Sequence, residues 1–166
     1  MSEKRSSNQQ SSVALIAVAG LCILSLLVMT AVLLFKNPVQ SAFTPPPFEP
    51  AAQQGAPDVP AGLVWGELDA GAFKASVCAS LPVQENSAQV WFTSPAENTV
   101  WLKLRLLDAQ GNILGETGLL HPGEYVRDVT LKTTLSPDMT VAMRLMAYEP
   151  QTYRSAGAVT VNAKIL

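Results

Sequence analysis

Apolar and polar residues alternate with a period of two in five separate stretches of this chain, a pattern that half-buried strands produce and helices do not. In FKASVCASL, Phe73, Ala75, Val77, Ala79 and Leu81 fall on one side, opposite Lys74, Ser76, Cys78 and Ser80. In TVWLKLRLL, Val100, Leu102, Leu104 and Leu106 alternate with Trp101, Lys103 and Arg105. RDVTLKTTL, MTVAMRLMAY and AVTVNAKIL repeat the pattern through Val129 and Leu131, Val141 to Ala147, and Val159 to Ile165. The breaks carry turn chemistry. DAQGN (108–112) suits a tight hairpin, HPGE (121–124) a type II turn, and LSPDM and YEPQT two further reversals. SPAE (94–97) resembles a helix-start capping box, but Thr99-Val100 and the alternation after them favour a turn into a strand. Strands are therefore expected at 72–81, 88–93, 99–107, 112–118, 124–134, 139–148 and 157–165. Seven strands at this spacing predict a mainly β fold, an Ig-like or fibronectin-III-like two-sheet sandwich over 63–166. A pair of cysteines bridging the two sheets, as in antibody domains, is excluded because the chain has only Cys22 and Cys78.

A second feature sits upstream. Val13–Phe35 is an apolar run without a charge, and as a helix it spans roughly 34 Å against a hydrocarbon core of about 30 Å. Residues 13–35 are read as a transmembrane helix in contact with the lipid bilayer, with 1–12 as a cytoplasmic tail. Leu21 before Cys22, and the apolar residues continuing past it, do not fit a lipoprotein cysteine, so Cys22 is read as a small apolar residue within the span. Val39-Gln40-Ser41 before Ala42 is a passable cleavage site, but the run is longer than a signal-peptide core. Lys4 and Arg5 before the run, against Lys36 alone after it, place the N-terminus inside and the C-terminal domain outside the cell membrane. Residues 36–62 hold seven of the twelve prolines and read as an extended Pro-rich linker.

Composition excludes several activities. A formal charge of −2 gives no general attraction to nucleic acid. One histidine, His121, precedes Pro122-Gly123 in a turn and is expected to face solvent, with no nucleophile motif to serve. One histidine and one domain cysteine are too few for zinc, and no calcium-loop spacing or phosphate-binding glycine loop is present. No enzyme activity, cofactor or metal is expected. Cys78 falls on the polar side of its strand, where it reads either as a half-buried small residue or as a free thiol able to link two copies.

In an Ig-like sandwich the strands at 99–107, 139–148 and 157–165 are neighbours. Their outward side would then present Trp101, Lys103, Arg105, Arg144, Met146, Tyr148 and Lys164, four cations with no acid. Such a face suits an anionic envelope polymer or a protein partner. The competing reading is cross-strand packing with the cations as cover.

The segment LLHPGEYVRDVTL followed by MRLMAYEPQTYRSAG resembles a pattern in small membrane-anchored β-sandwich proteins of Firmicutes. Those share an apolar pair, Pro-Gly, a strand, an aromatic-ended strand and a polar turn. The resemblance covers about the last half of the domain and implies a bacterial surface setting without an activity. The sequence therefore points to a membrane-tethered, non-catalytic recognition or adhesion-type module. The alternatives are a structural subunit of an envelope complex, such as a secretion or conjugation apparatus, and a cleaved, secreted binding protein.

Overall fold

The computed structural model describes Gly20, residues 22–30 and residues 43–166. The expected tail, much of the expected membrane helix, linker residues 36–42 and the Ser41–Ala42 junction lie outside the described residues. The chain divides into two units, Met1–Phe43 and Thr44–Leu166. In the first, Gly20 and residues 22–30 are helical. The Ser25 hydroxyl donates to the Cys22 carbonyl at 2.8 Å and the Thr30 hydroxyl to that of Leu26 at 2.8 Å. Both polar side chains are thus satisfied by their own helix. No helix among the described residues is long and apolar enough to cross a membrane.

The second unit is mainly β. Its strands are β1 (Gln53–Gln54), β2 (Trp65–Asp69), β3 (Lys74–Cys78), β4 (Ser80–Leu81), β5 (Val83–Gln84) and β6 (Ser87–Thr93), then β7 (Trp101–Leu107), β8 (Ile113–Glu116), β9 (Glu124–Thr130), β10 (Thr140–Tyr148) and β11 (Ser155–Ile165). One sheet runs β1-β9-β6-β3-β2, with β5 also on β6, and the other runs β4-β11-β10-β7-β8. Alternation decides what lies between them. Ala75, Val77, Val90, Phe92, Val126 and Val129 of the first sheet join Leu102, Leu104, Leu106, Val141, Met143 and Leu145 of the second in one buried core. Gly115 lets β8 close against the first sheet, since a Cβ there would lie 2.6 Å from the Thr130 carbonyl oxygen. Its neighbour Leu114 accepts a 2.7 Å bond from the Lys132 N–H.

The expected turns form where their residues require them. Gly111 and Gly123 have φ of 84° and 82°. The Asp108 carboxylate gathers the Asn112 side chain at 2.8 Å and the N–H groups of Asn112 and Gln110. Those bonds, the Asn112 side chain first, hold its pKa below the usual value. Residues 94–98 form a turn and no helix. Asn98 clamps that turn to β3 by donating to the Lys74 carbonyl at 2.7 Å and accepting the Lys74 N–H at 2.9 Å.

Three departures stand out. The strand expected over 72–81 breaks after Cys78, and its end crosses to the other sheet as β4, pairing in parallel with β11. An additional strand, β2, pairs antiparallel with β3, matching Trp65 to Cys78 and Asp69 to Lys74. The third concerns the linker, which from Thr44 onward belongs to the compact β unit. Phe48 forms a parallel bridge with Leu119. The Leu119 N–H donates to Pro47 at 2.9 Å and the Glu49 N–H donates back to Leu119 at 2.9 Å. The Gly118 N–H donates to the Glu49 carboxylate at 2.7 Å, and Gln53 and Gln54 pair with Tyr125 and Glu124 of β9. The reason is conformational. Proline-rich backbone is already extended, so its remaining N–H and C=O groups are available to a sheet margin at little further entropic cost.

Candidate functional site

Strands β7, β10 and β11 are neighbours, and their register gathers the expected face. Arg105 lies opposite Arg144, Lys103 opposite Met146 and Trp101 opposite Tyr148. Lys164 is opposite Thr140, at the other end of β10. The seven residues do share one sheet, with Lys164 apart from the rest by roughly 13 Å of strand.

The charge on this face differs from the expectation of four cations and no acid. Strand β8 brings Glu116 opposite Arg105. Its Oε2 accepts from Arg105 Nε at 2.7 Å and Lys103 Nζ at 3.1 Å. Lys103 is covered, with 7% of its side chain exposed, so it is a buried cation held by a carboxylate. Burial pushes the Glu116 pKa up, but hydrogen bonds from Arg105 and Lys103 and their positive charge outweigh it, and the net shift is downward. Lys164 pairs with Asp138 at 2.7 Å. Among the described residues, Arg144 is the cation of this face without an ion pair, and it is exposed. Met146 is buried, and the Tyr148 hydroxyl lies 3.7 Å from its sulfur. The cross-strand packing reading therefore holds for the middle of the face.

Aromatic groups collect at the Trp101 end. Phe48 stacks on His121 with ring centroids 4.1 Å apart and 6° between planes, and meets Trp101 edge-on at 4.9 Å. Trp101 lies 5.2 Å from Tyr153 and 5.9 Å from His121. His121 is expected to face solvent alone; it is half exposed, and its Nδ1 is 3.1 Å from Glu124 Oε2. Phe48 retains 37% of its surface exposed. The result is a partly open aromatic patch continuing to Tyr148, with Arg144 four residues away along β10, beyond Met146. Among the described residues, no group of three or more His, Cys, Asp or Glu side chains is placed to hold a metal ion.

The intermolecular thiol at Cys78 is corrected by the structure. Cys78 is fully buried, and burial raises its pKa to about 11. Strand parity does put it on the outer side of β3, but that side is covered. The Trp65 indole, from β2, donates to the Trp91 carbonyl of β6 at 3.1 Å. Strand β3 lies between those two strands, so the indole crosses it beside Cys78, its register partner.

Sequence reasoning missed Glu116, because pairing register with β8 is not visible in an isolated strand. It also missed Phe48 and Tyr153, which lie outside the alternating stretches. Comparison with protein-family models, with curated proteins and with solved structures finds no match to this chain.

Proposed function

We propose that the chain is a membrane-tethered, non-catalytic recognition module of a bacterial cell surface, with the outer face of β7 and β10 as its contact surface. The observation that carries this reading is the half-exposed aromatic patch of Phe48, Trp101, His121 and Tyr153, with the unpaired Arg144 four residues from Tyr148 on the same strand. Aromatic rings and arginine are the side chains that most often anchor a protein partner. With Glu116 and Asp138 pairing three of the four cations and cancelling two of their charges, the face is less cationic than an anionic polymer would require, and a protein partner fits it better. An Ig-like arrangement is supported by the sheet orders: β3, β6 and β9 correspond to strands A, B and E, and β8, β7, β10 and β11 to C′, C, F and G. The uncharged run Val13–Phe35 supports the tether and the external location of the β unit.

The test is co-purification of the intact protein from native membranes, comparing wild type with Arg144→Ser and Trp101→Ala. Loss of retained protein in both variants, with unchanged melting of Arg144→Ser, is the expected result. Unchanged retention rejects the face. Recovery of a stable multi-subunit assembly points to the structural-subunit alternative, and a mature N-terminus at Ala42 to the secreted one.

A further inference from the structure

The second sheet ends early on one side. Strand β11 pairs with β10 along the whole of β10, yet its own outer margin meets only β4, at Lys164 and Ile165. Burial follows that cover. Ala163 and Ile165, the core-facing residues at the β4 end, are 2% and 1% exposed. Val159 and Val161, next along the same face, are only half-buried against the core. The sandwich is open beside these two valines.

One bond fixes which backbone groups face the opening. The Lys164 N–H donates outward to the Ala79 carbonyl at 2.9 Å, and the groups of a strand point the same way at every second residue. The N–H and C=O of Ala158, Thr160 and Asn162 therefore face the open margin, with no strand beside them among the described residues. Proteins usually guard such margins with charge or proline. The free margin of the first sheet, β2, carries Glu67 and Asp69. Residues 155–163 carry neither charge nor proline.

Charge complementarity names what fills the opening. Arg144 is exposed, has no ion pair among the described residues and lies opposite Thr160 in the β10–β11 register. A strand added to β11 would place one outward side chain about 10 Å from the Arg144 backbone, two strand spacings away. A glutamate there can meet the guanidinium across Thr160. A second copy of β11 cannot supply that acid, because Ser155–Ile165 contains none.

We propose that β11 accepts an extended segment of a partner protein as a further strand beside residues 158–162. Its apolar residues cover Val159 and Val161, and an acidic residue on its other side turns to Arg144. The inference rests on the proposed contact face for Arg144 alone and specifies the form of the partner.

The experiment follows amide hydrogen exchange in the intact 15N-labelled protein in detergent micelles. The probe is a capped heptapeptide of valine alternating with threonine around a central glutamate. Without peptide, the amides of Ala158, Thr160 and Asn162 should exchange fast, and those of Val159, Val161 and Ala163, which face β10, slowly. The peptide should protect the fast set saturably. Lysine in place of its glutamate should weaken binding about two- to fivefold, the scale of one cross-strand charge pair, and Arg144→Ser should erase that difference. Thr160→Pro and Ala158→Pro each remove an outward N–H and no bond to β10, so each should weaken binding roughly tenfold while the slow set stays protected. Glu67→Gln, on the guarded margin of β2, should change nothing. No protection by the peptide, undiminished protection in both proline variants, or equal affinity of the glutamate and lysine peptides overturns the proposal. So does protection that grows with protein concentration alone, which assigns the margin to a second copy. Full membrane retention of Trp101→Ala, with peptide binding intact, rejects the aromatic patch and leaves this site standing.

Discussion

Gly118 and Glu49 meet backbone to backbone: a Cβ placed on Gly118 would lie 2.5 Å from the Glu49 nitrogen and 2.7 Å from its Cα. No flexible side-chain end is available to yield, so the segment 47–55 lies against the domain only because residue 118 lacks a side chain.

Gly118→Ala is therefore expected to release that segment while leaving the core intact. The cost should be about 1–3 kcal/mol, typical of overpacking a close contact. Limited proteolysis should show new cleavage between residues 44 and 56, and denaturant unfolding a lower midpoint. Gly66→Ala is the control. Gly66 has open space around its missing Cβ, so that variant should unfold like wild type.

Removing the carboxylate that serves Lys103 tests the interior of the β7–β10 face. Glu116→Gln leaves a covered ammonium without its counter-charge and should cost about 1–3 kcal/mol. The pH dependence has a definite sign. The folded-state pKa of Glu116 lies below its unfolded value, so its contribution is complete above the unfolded value and is lost as pH falls through the folded one. The stability difference between wild type and Glu116→Gln should be largest near neutral pH, begin to shrink below about pH 4, near the ordinary glutamate value, and close only once the pH has fallen below the folded value. A constant difference down to pH 2 would show that the carboxylate charge contributes nothing.

The thiol of Cys78 should be inert in the folded protein. In a Cys22→Ser background, iodoacetamide at pH 8 should modify Cys78 only after denaturant is added, since the group is buried and its pKa stands near 11. Trp65→Ala, which takes away the indole beside it, should speed modification of the native state. Rapid labelling of the folded Cys22→Ser protein would contradict the burial.

Asn98→Ala removes two bonds to the Lys74 backbone and one to the Ser94 hydroxyl. A loss of about 1–3 kcal/mol is expected, because the Lys74 groups lose a pre-formed partner. Urea unfolding measures it.

The main strands were legible in the sequence because each has one face that must be apolar. Leu102, Leu104 and Leu106 in β7, or Val141, Met143 and Leu145 in β10, could not alternate by accident over so many residues. Residues of the proposed contact face were legible from parity together with the strand neighbours of an Ig-like sandwich, which placed Trp101, Arg105, Arg144 and Tyr148 together. What parity does not encode is how a face is covered. Lys103 was placed on the correct side, yet β8 and Glu116 make that side an interior for it. Cys78 likewise faces outward beneath the Trp65 indole. Strand β2 was missed because Glu67 and Leu68 lie on an edge and show no clean alternation of burial. The bulge at Trp91 left no trace either, since nothing in SAQVWFT requires a positive φ there.

The docked segment decides where this polypeptide can be divided. Composition puts a boundary near residue 63, but a fragment begun there would forfeit β1, the Phe48 ring against His121 and the Asp58 wall beside Trp91. Its sheet margin at β9 and the chain at Leu119 would be left as open edges able to recruit a strand from another molecule. A fragment begun at Thr44 keeps its own selvedge and should remain monomeric where the shorter one aggregates.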